Sequence, residues 1–144
     1  MKRKIRRWLW GSLILLSVLL LGGCSSSEET AGNYEGAADV VYEIVSGSDV
    51  PYKVNEKIFK SKEKGFGFSY RDGGEMYVAF GFGERSTGGY SIQIQAAKET
   101  DTAIIIEAKL IAPLPEEVVA ESVSYPYMIL KMAQVKKDVQ FILY

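Results

Sequence analysis

The run Glu75-Met76-Tyr77-Val78-Ala79-Phe80-Gly81-Phe82-Gly83-Glu84-Arg85-Ser86-Thr87-Gly88-Gly89-Tyr90-Ser91-Ile92-Gln93-Ile94-Gln95 decides the fold. Its opening part, Glu75 to Phe82, is almost unbroken in apolar and aromatic side chains and is bounded by glycines, which predicts a strand covered on both faces. Ser91 to Gln95 then alternates polar with apolar, the period of a half-buried strand with Ile92 and Ile94 inward. The link between them is polar and glycine-rich. On composition it reads as a long hairpin connection, with Gly88-Gly89 supplying positive φ and Ser86 and Thr87 satisfying backbone groups.

Upstream, Phe66, Phe68 and Tyr70 alternate with small residues as far as Asp72-Gly73-Gly74, a strand and its turn into Glu75. Between Val50 and Lys64, Val54, Ile58 and Phe59 recur at helical spacing among lysines and predict one short amphipathic helix. Val40, Val41, Tyr42, Ile44 and Val45, stopped by Ser46-Gly47-Ser48-Asp49, predict a first strand. Downstream, Glu99-Thr100-Asp101-Thr102 turns the chain into a strand from Ala103 to Ile111, which Pro113 and Pro115 end. Further strands are expected from Tyr127 to Met132 and from Val139 to Leu143. At least six short strands with regular turns predict a mainly β fold, an antiparallel sheet folded into a small sandwich-like domain with one short helix; α+β is the alternative.

The N-terminus has a different character. Lys2, Arg3, Lys4, Arg6 and Arg7 precede an apolar run from Trp8 to Leu21, the charge step of a secretory signal. That run falls short of the roughly 20 apolar residues that a bilayer-spanning helix needs. It ends in Leu21-Gly22-Gly23-Cys24, which resembles the lipobox of bacterial lipoproteins, where the cysteine takes a diacylglyceryl group and becomes the mature N-terminus. A lone cysteine in an exported chain calls for such an explanation, because an oxidising compartment pairs thiols or attacks them. Ser25 to Asn33 is small, polar and charged, the composition of a tether. The expected division is a signal peptide over residues 1–23, lipidated Cys24 with a tether to residue 37, and one β-rich domain over 38–144. The protein is then expected to be exported and lipid-anchored at the extracytoplasmic face of the cell membrane.

The full chain carries a net charge of −1, but residues 1–23 hold five basic and no acidic side chains, so removing them leaves about −6. Nucleic acid is therefore not an expected partner, since it attracts a basic stripe. Catalytic chemistry is easier to exclude than to find. The chain has no histidine, which removes Ser-His-Asp and Cys-His arrangements and the commonest metal ligand. Glu116-Glu117 and Glu28-Glu29 are adjacent and point to opposite sides of an extended chain, so neither pair forms a dyad. No EF-hand loop or phosphate-binding loop occurs. A non-catalytic protein without cofactor or metal is expected.

The stretch from Tyr77 to Ile94 resembles the Gly-Glu-Arg-Pro-Thr-Gly-Gly-Tyr motif of the PrcB family, the protease complex subunit. Ser124-Tyr125-Pro126-Tyr127-Met128-Ile129-Leu130 is similar to that family's Thr-Tyr-Pro-Tyr segment and the apolar strand after it. Together the two cover roughly residues 75–133, in the family's order and spacing. The chain departs at Ser86, where the family usually has proline, and at Ser124 for threonine, while the glycines, Thr87 and Tyr90 are kept. The resemblance implies an exported accessory subunit that assembles with a surface protease, without implying proteolysis by the subunit itself.

Residues of both motifs make one expected partner-binding end of the domain: Glu84, Arg85, Thr87, Gly88, Gly89, Tyr90, Tyr125, Pro126 and Tyr127. Pro126 cannot donate to a ladder, so it belongs at a strand start or edge, where its neighbouring tyrosines can pack beside the glycine turn. The expected function is a membrane-anchored, protein-binding module, with a surface protease as the partner that the resemblance suggests. Two alternatives remain. Thr87-Gly88-Gly89-Tyr90 is partly similar to the Asn-Pro-Thr-Thr-Gly-Tyr loop of chagasin-like inhibitors, which would make the protein a protease inhibitor of β-sandwich type. A structural or small-ligand-binding envelope protein is favoured if Glu84, Arg85 and Tyr90 are buried.

Overall fold

The structure, a computed structural model, describes Gly32 and residues 34–144; Cys24 and the expected signal peptide lie outside the described residues. Two four-stranded sheets pack face to face. One runs in the order β1 (Ala38–Asp39), β5 (Ser91–Glu99), β6 (Ala103–Ile111), β8 (Asp138–Leu143), and the other in the order β2 (Tyr42–Ile44), β7 (Tyr127–Ala133), β4 (Glu75–Phe82), β3 (Gly65–Asp72). The expected mainly β, sandwich-like fold with one short helix is what forms.

Strand β4 is the centre of the molecule. Met76, Val78 and Phe80 face the first sheet and meet Ile104, Ile106 and Ala108 of β6, with Leu130 and Met132 of β7 beside them. Tyr77 and Ala79 point the other way, onto Val54 and Ile58 of the helix α1 (Tyr52–Ser61), with Val45, Val50 and Ile129 completing that smaller core. A strand covered on both faces needs no polar phase, hence its continuous apolar sequence. Each large side chain buried here contributes about 1.5–3 kcal/mol of transfer free energy. Close approach also decides one glycine: a Cβ on Gly67 of β3 would lie 2.6 Å from the ring of Phe141 on β8, which fills that space and packs 6.2 Å from Phe80 between ring centres.

The helix forms where the lysine-rich segment predicts it. Val54 and Ile58, one turn apart, are its buried pair, and Glu56 and Lys60 form an i, i+4 ion pair at 2.7 Å on its outer surface. Phe59, expected to share the apolar face, is 72% exposed. At five positions beyond Val54 it has rotated off the stripe that a 3.6-residue period keeps inward.

Four other expectations change. The single first strand is two short ones: β1 pairs with β5, β2 pairs with β7, and Val40-Val41 carries the chain from one sheet to the other. The sheet pairings are antiparallel except β6 with β8, which run parallel because β8 arrives from the opposite sheet after β7. The link from β4 to β5 is not a hairpin, since those strands belong to different sheets; it is a crossover at one end of the sandwich. Strand β5 also extends past Gln95 to Glu99, with a register shift between Ile94 and Ala96 that resets its alternation.

One buried carboxylate lies on the outer face of the first sheet. Glu107 of β6 is 4% exposed and accepts hydrogen bonds from the Tyr34 hydroxyl (2.7 Å), the Tyr144 hydroxyl (3.0 Å) and the Gly32 amide (3.2 Å). Burial pushes its titration up, but these hydrogen bonds outweigh burial and hold the carboxyl below its usual range. Burial and the same carboxylate push the Tyr34 hydroxyl up to about 12.

Candidate functional site

The end of the sandwich reached by the C-terminus of β4 and the N-terminus of β7 gathers the sequence-selected residues. Paired β4 and β7 stop at Gly81 opposite Tyr127. Beyond that point the two chains stay in contact. The Phe82 amide donates to the Pro126 carbonyl at 3.0 Å, and Arg85 and Ser124 exchange both backbone hydrogen bonds at 2.9 Å. The Ser124 hydroxyl then donates to the Thr87 carbonyl at 2.6 Å, and the Gly88 amide to the Ala120 carbonyl at 2.9 Å. The two motifs are thus laid side by side from Phe82 to Thr87, and the segment ahead of the second motif continues alongside Gly88. Pro126 stands just ahead of β7, where its missing donor leaves no ladder bond unmade.

The other flank of the loop is held by the segment after α1, whose Glu63 carbonyl accepts from the Glu84 amide at 3.2 Å. Gly89 has a φ of 84° and sits where a Cβ would collide with Val119 and lie 3.0 Å from Pro113, so only glycine fits. Gly88 does not share that conformation; the second positive φ in this stretch belongs to Gly83, at 81°. The loop is therefore preformed by backbone contacts on both sides.

None of its side chains from Glu84 to Thr87, nor that of Tyr90, is fully buried. Glu84 and Ser86 are exposed and Arg85, Thr87 and Tyr90 are half-buried, so the condition that would have favoured a purely structural protein is not met. The Tyr125 hydroxyl donates to the Glu84 carboxylate at 3.3 Å. Burial, with the Glu84 charge and hydrogen bond next, raises the titration of Tyr125. Arg85 donates to the Glu84 carbonyl at 2.8 Å and stands 6.0 Å from the centre of the Tyr90 ring. Tyr127, opposite Gly81, is 46% exposed.

Sequence reasoning missed two contributors. Lys62 lies with its ammonium 4.5 Å from the ring centre of Tyr125 and 4.8 Å from that of Phe59, bridging the helix end to the Tyr-Pro-Tyr segment. The segment between β6 and β7 supplies Pro113, Val119 and Ala120 as the floor under the glycines. The prolines gave a signal that β6 ends there, but nothing local said where the chain goes next. Among the described residues no group of three or more acidic, cysteine or histidine side chains could hold a metal. The arrangement offers a paired Glu84–Tyr125, a half-exposed guanidinium and aromatic edges on a rigid frame.

Residues 76–133, from β4 through β7 and including both motifs, match the PrcB C-terminal family. No curated protein and no solved structure matches the chain.

Proposed function

We propose that this chain, whose residues 76–133 match the PrcB C-terminal family, is a lipid-anchored accessory subunit that binds a surface protease through the Glu84–Tyr90 and Tyr125–Tyr127 end of its domain. The observation that carries the proposal is the reciprocal Arg85–Ser124 backbone pairing, which joins the two family motifs into one outward surface. A recognition surface held by its own backbone loses little conformational entropy when a partner docks. Acylation at Cys24 would keep the module at the membrane, because two or more chains are needed for stable anchoring and a processed lipoprotein cysteine carries them. The absence of histidine supports a role in assembly over one in catalysis.

The test is recovery of partners from native membranes on the full-length tagged chain, compared with Arg85→Ala and with the double substitution Glu84→Ala, Tyr125→Phe. A protease recovered with the parent chain and reduced at least about tenfold with the variants, a loss of about 1.4 kcal/mol, is the expected result. Equal recovery with folded variants removes the surface from consideration. Absence of acyl chains from the purified protein by mass spectrometry removes the anchor.

A further inference from the structure

The long open edge of the second sheet carries an inference separate from the loop. We propose that β3 accepts an extended acidic segment of a protein partner as an added strand, in the groove between β3 and α1. The two edges on one side of the sandwich are blunt: β1 has two residues and β2 three. On the other side β3 runs for eight residues, pairs with β4 alone in unbroken register, and among the described residues has no further strand beside it. Exposed edges are normally protected by proline, charged side chains or a bulge; Gly65–Tyr70 of β3 has none of these, and the Arg71 guanidinium beyond them is drawn to the Val135 and Lys137 carbonyls.

The ladder fixes which groups are free. The Phe82 amide bonds toward β7, so alternate residues of β4 from Met76 to Phe82 face β7 and the intervening ones face β3. Their partners Phe66, Phe68 and Tyr70 therefore bond inward, and Gly67, Ser69 and Arg71 turn both N–H and C=O outward. That is the pattern an incoming strand completes.

The chemistry of the occupant follows from the groove wall. Phe66, Phe68 and Tyr70 present half-buried rings on the α1 side, and the ammonium of Lys57 leans over the Phe68 ring at 4.2 Å. Lys53, Lys57 and Lys60 lie along one exposed stripe of α1, at spacings of four and three residues, and Lys64 continues it beyond the helix. A recess of about 490 Å³ at the head of the groove is lined by Lys60, Ser61, Glu63, Lys64, Gly65 and Phe66. Glu56 holds Lys60, and Glu63 faces the recess. Four lysines against two carboxylates still leave this wall basic, on a chain that is otherwise acidic once residues 1–23 are set aside. An added strand presents every second side chain to that wall, so Asp or Glu at alternate positions fits it and Lys or Arg is repelled.

The probe is a blocked heptapeptide alternating Glu with Val, titrated into the full-length chain in detergent and followed by fluorescence anisotropy and amide hydrogen exchange. Saturable binding that protects the Gly67, Ser69 and Arg71 amides is expected. The Lys/Val counterpart should bind about tenfold more weakly or worse, and the double charge reversal Lys57→Glu, Lys64→Glu should cost the acidic peptide about tenfold. Ser69→Pro removes an outward donor without touching the β3–β4 ladder and should abolish protection while the circular dichroism spectrum is kept. Arg85→Ala should bind the peptide unchanged, which separates this surface from the loop. Binding without protection of those amides, or equal binding of a backbone N-methylated peptide, overturns strand addition. Concentration-dependent self-association that protects the same amides overturns the acidic partner in favour of a second copy of the chain.

Discussion

Gly89→Ala tests whether the candidate surface is built before a partner arrives. Two costs combine at this position. A residue with a Cβ in the left-handed region loses about 1–2 kcal/mol relative to glycine, and here φ is 84°. The new methyl would also overlap Val119 and press on Pro113, and forced overpacking typically costs about 1–3 kcal/mol. Gly47 supplies the control, because its φ is 63° and nothing lies within 4 Å of its absent Cβ; Gly47→Ala bears the backbone term alone. The expected ordering in denaturant unfolding is therefore a loss of about 1–2 kcal/mol for Gly47→Ala and about 2–5 kcal/mol for Gly89→Ala. Adding Val119→Ala to Gly89→Ala should return part of the difference. Because the contact joins two loops, relief can come from lifting residues 113–120, so exchange of the Gly88 amide, bonded to Ala120 at 2.9 Å, should quicken more than that of core amides. Equal losses at Gly47 and Gly89, with the Gly88 amide unaffected, would mean that the floor is not packed under the turn and that the surface is not preformed.

Gly67→Ala should destabilise by about 1–3 kcal/mol through overlap with the Phe141 ring, and Phe141→Leu in the same chain should recover part of it; a strictly additive double mutant would refute the contact. Glu107 titrates below the usual carboxylate range when folded, so its stabilising contribution is complete above the unfolded value of about 4.3 and is lost as pH falls through the lower folded value. Unfolding midpoints measured downward from about pH 6 should fall less steeply for Glu107→Gln than for the parent chain. Tyr34, with its folded value pushed up to about 12, contributes stability fully below the unfolded value of about 10 and loses it between the two; difference absorbance should show several late-ionising tyrosines, Tyr77 and Tyr125 being raised as well, and Tyr34→Phe should remove one of them. Tyr34→Phe at neutral pH should cost about 1.5–3 kcal/mol, the worth of a hydrogen bond to a charged group, measured by denaturant unfolding.

Legibility in the sequence followed how local each cause was. Strand β4 was readable because coverage on both faces leaves a direct mark, six buried positions in succession from Met76 to Gly81. The helix was readable from Val54 and Ile58, whose spacing is a property of the segment itself, and Phe59 misled because an apolar residue beside a stripe looks like part of it. The crossover from β4 to β5 was not readable. A glycine-rich polar link has the same composition whether the next strand returns alongside or departs to another sheet, and only the packing of Ile92, Ile94 and Ala97 into the core that β4 shares decides. The split of the first strand failed for the same reason: β-branched Val40-Val41 reads as continuous strand, while its neighbours find partners in different sheets.

For the candidate site, the division runs between the motifs and their support. Pro126 and the glycines could be placed at a strand start and a turn from their own backbone chemistry, and the meeting of the two motifs followed from putting them at the same strand end. Val119, Ala120 and Lys62 left no local sign, because their roles are contacts across many residues of chain. The open edge of β3 is the extreme case. Phe66-Gly67-Phe68-Ser69-Tyr70 carries the same alternation at an edge as it would in the middle of a sheet, so its free amides exist only as a consequence of topology. A surface of that kind can be tested by what it binds, and the acidic peptide, with the direction of its charge preference set by Lys57 and Lys64, is the probe that topology and local charge jointly specify.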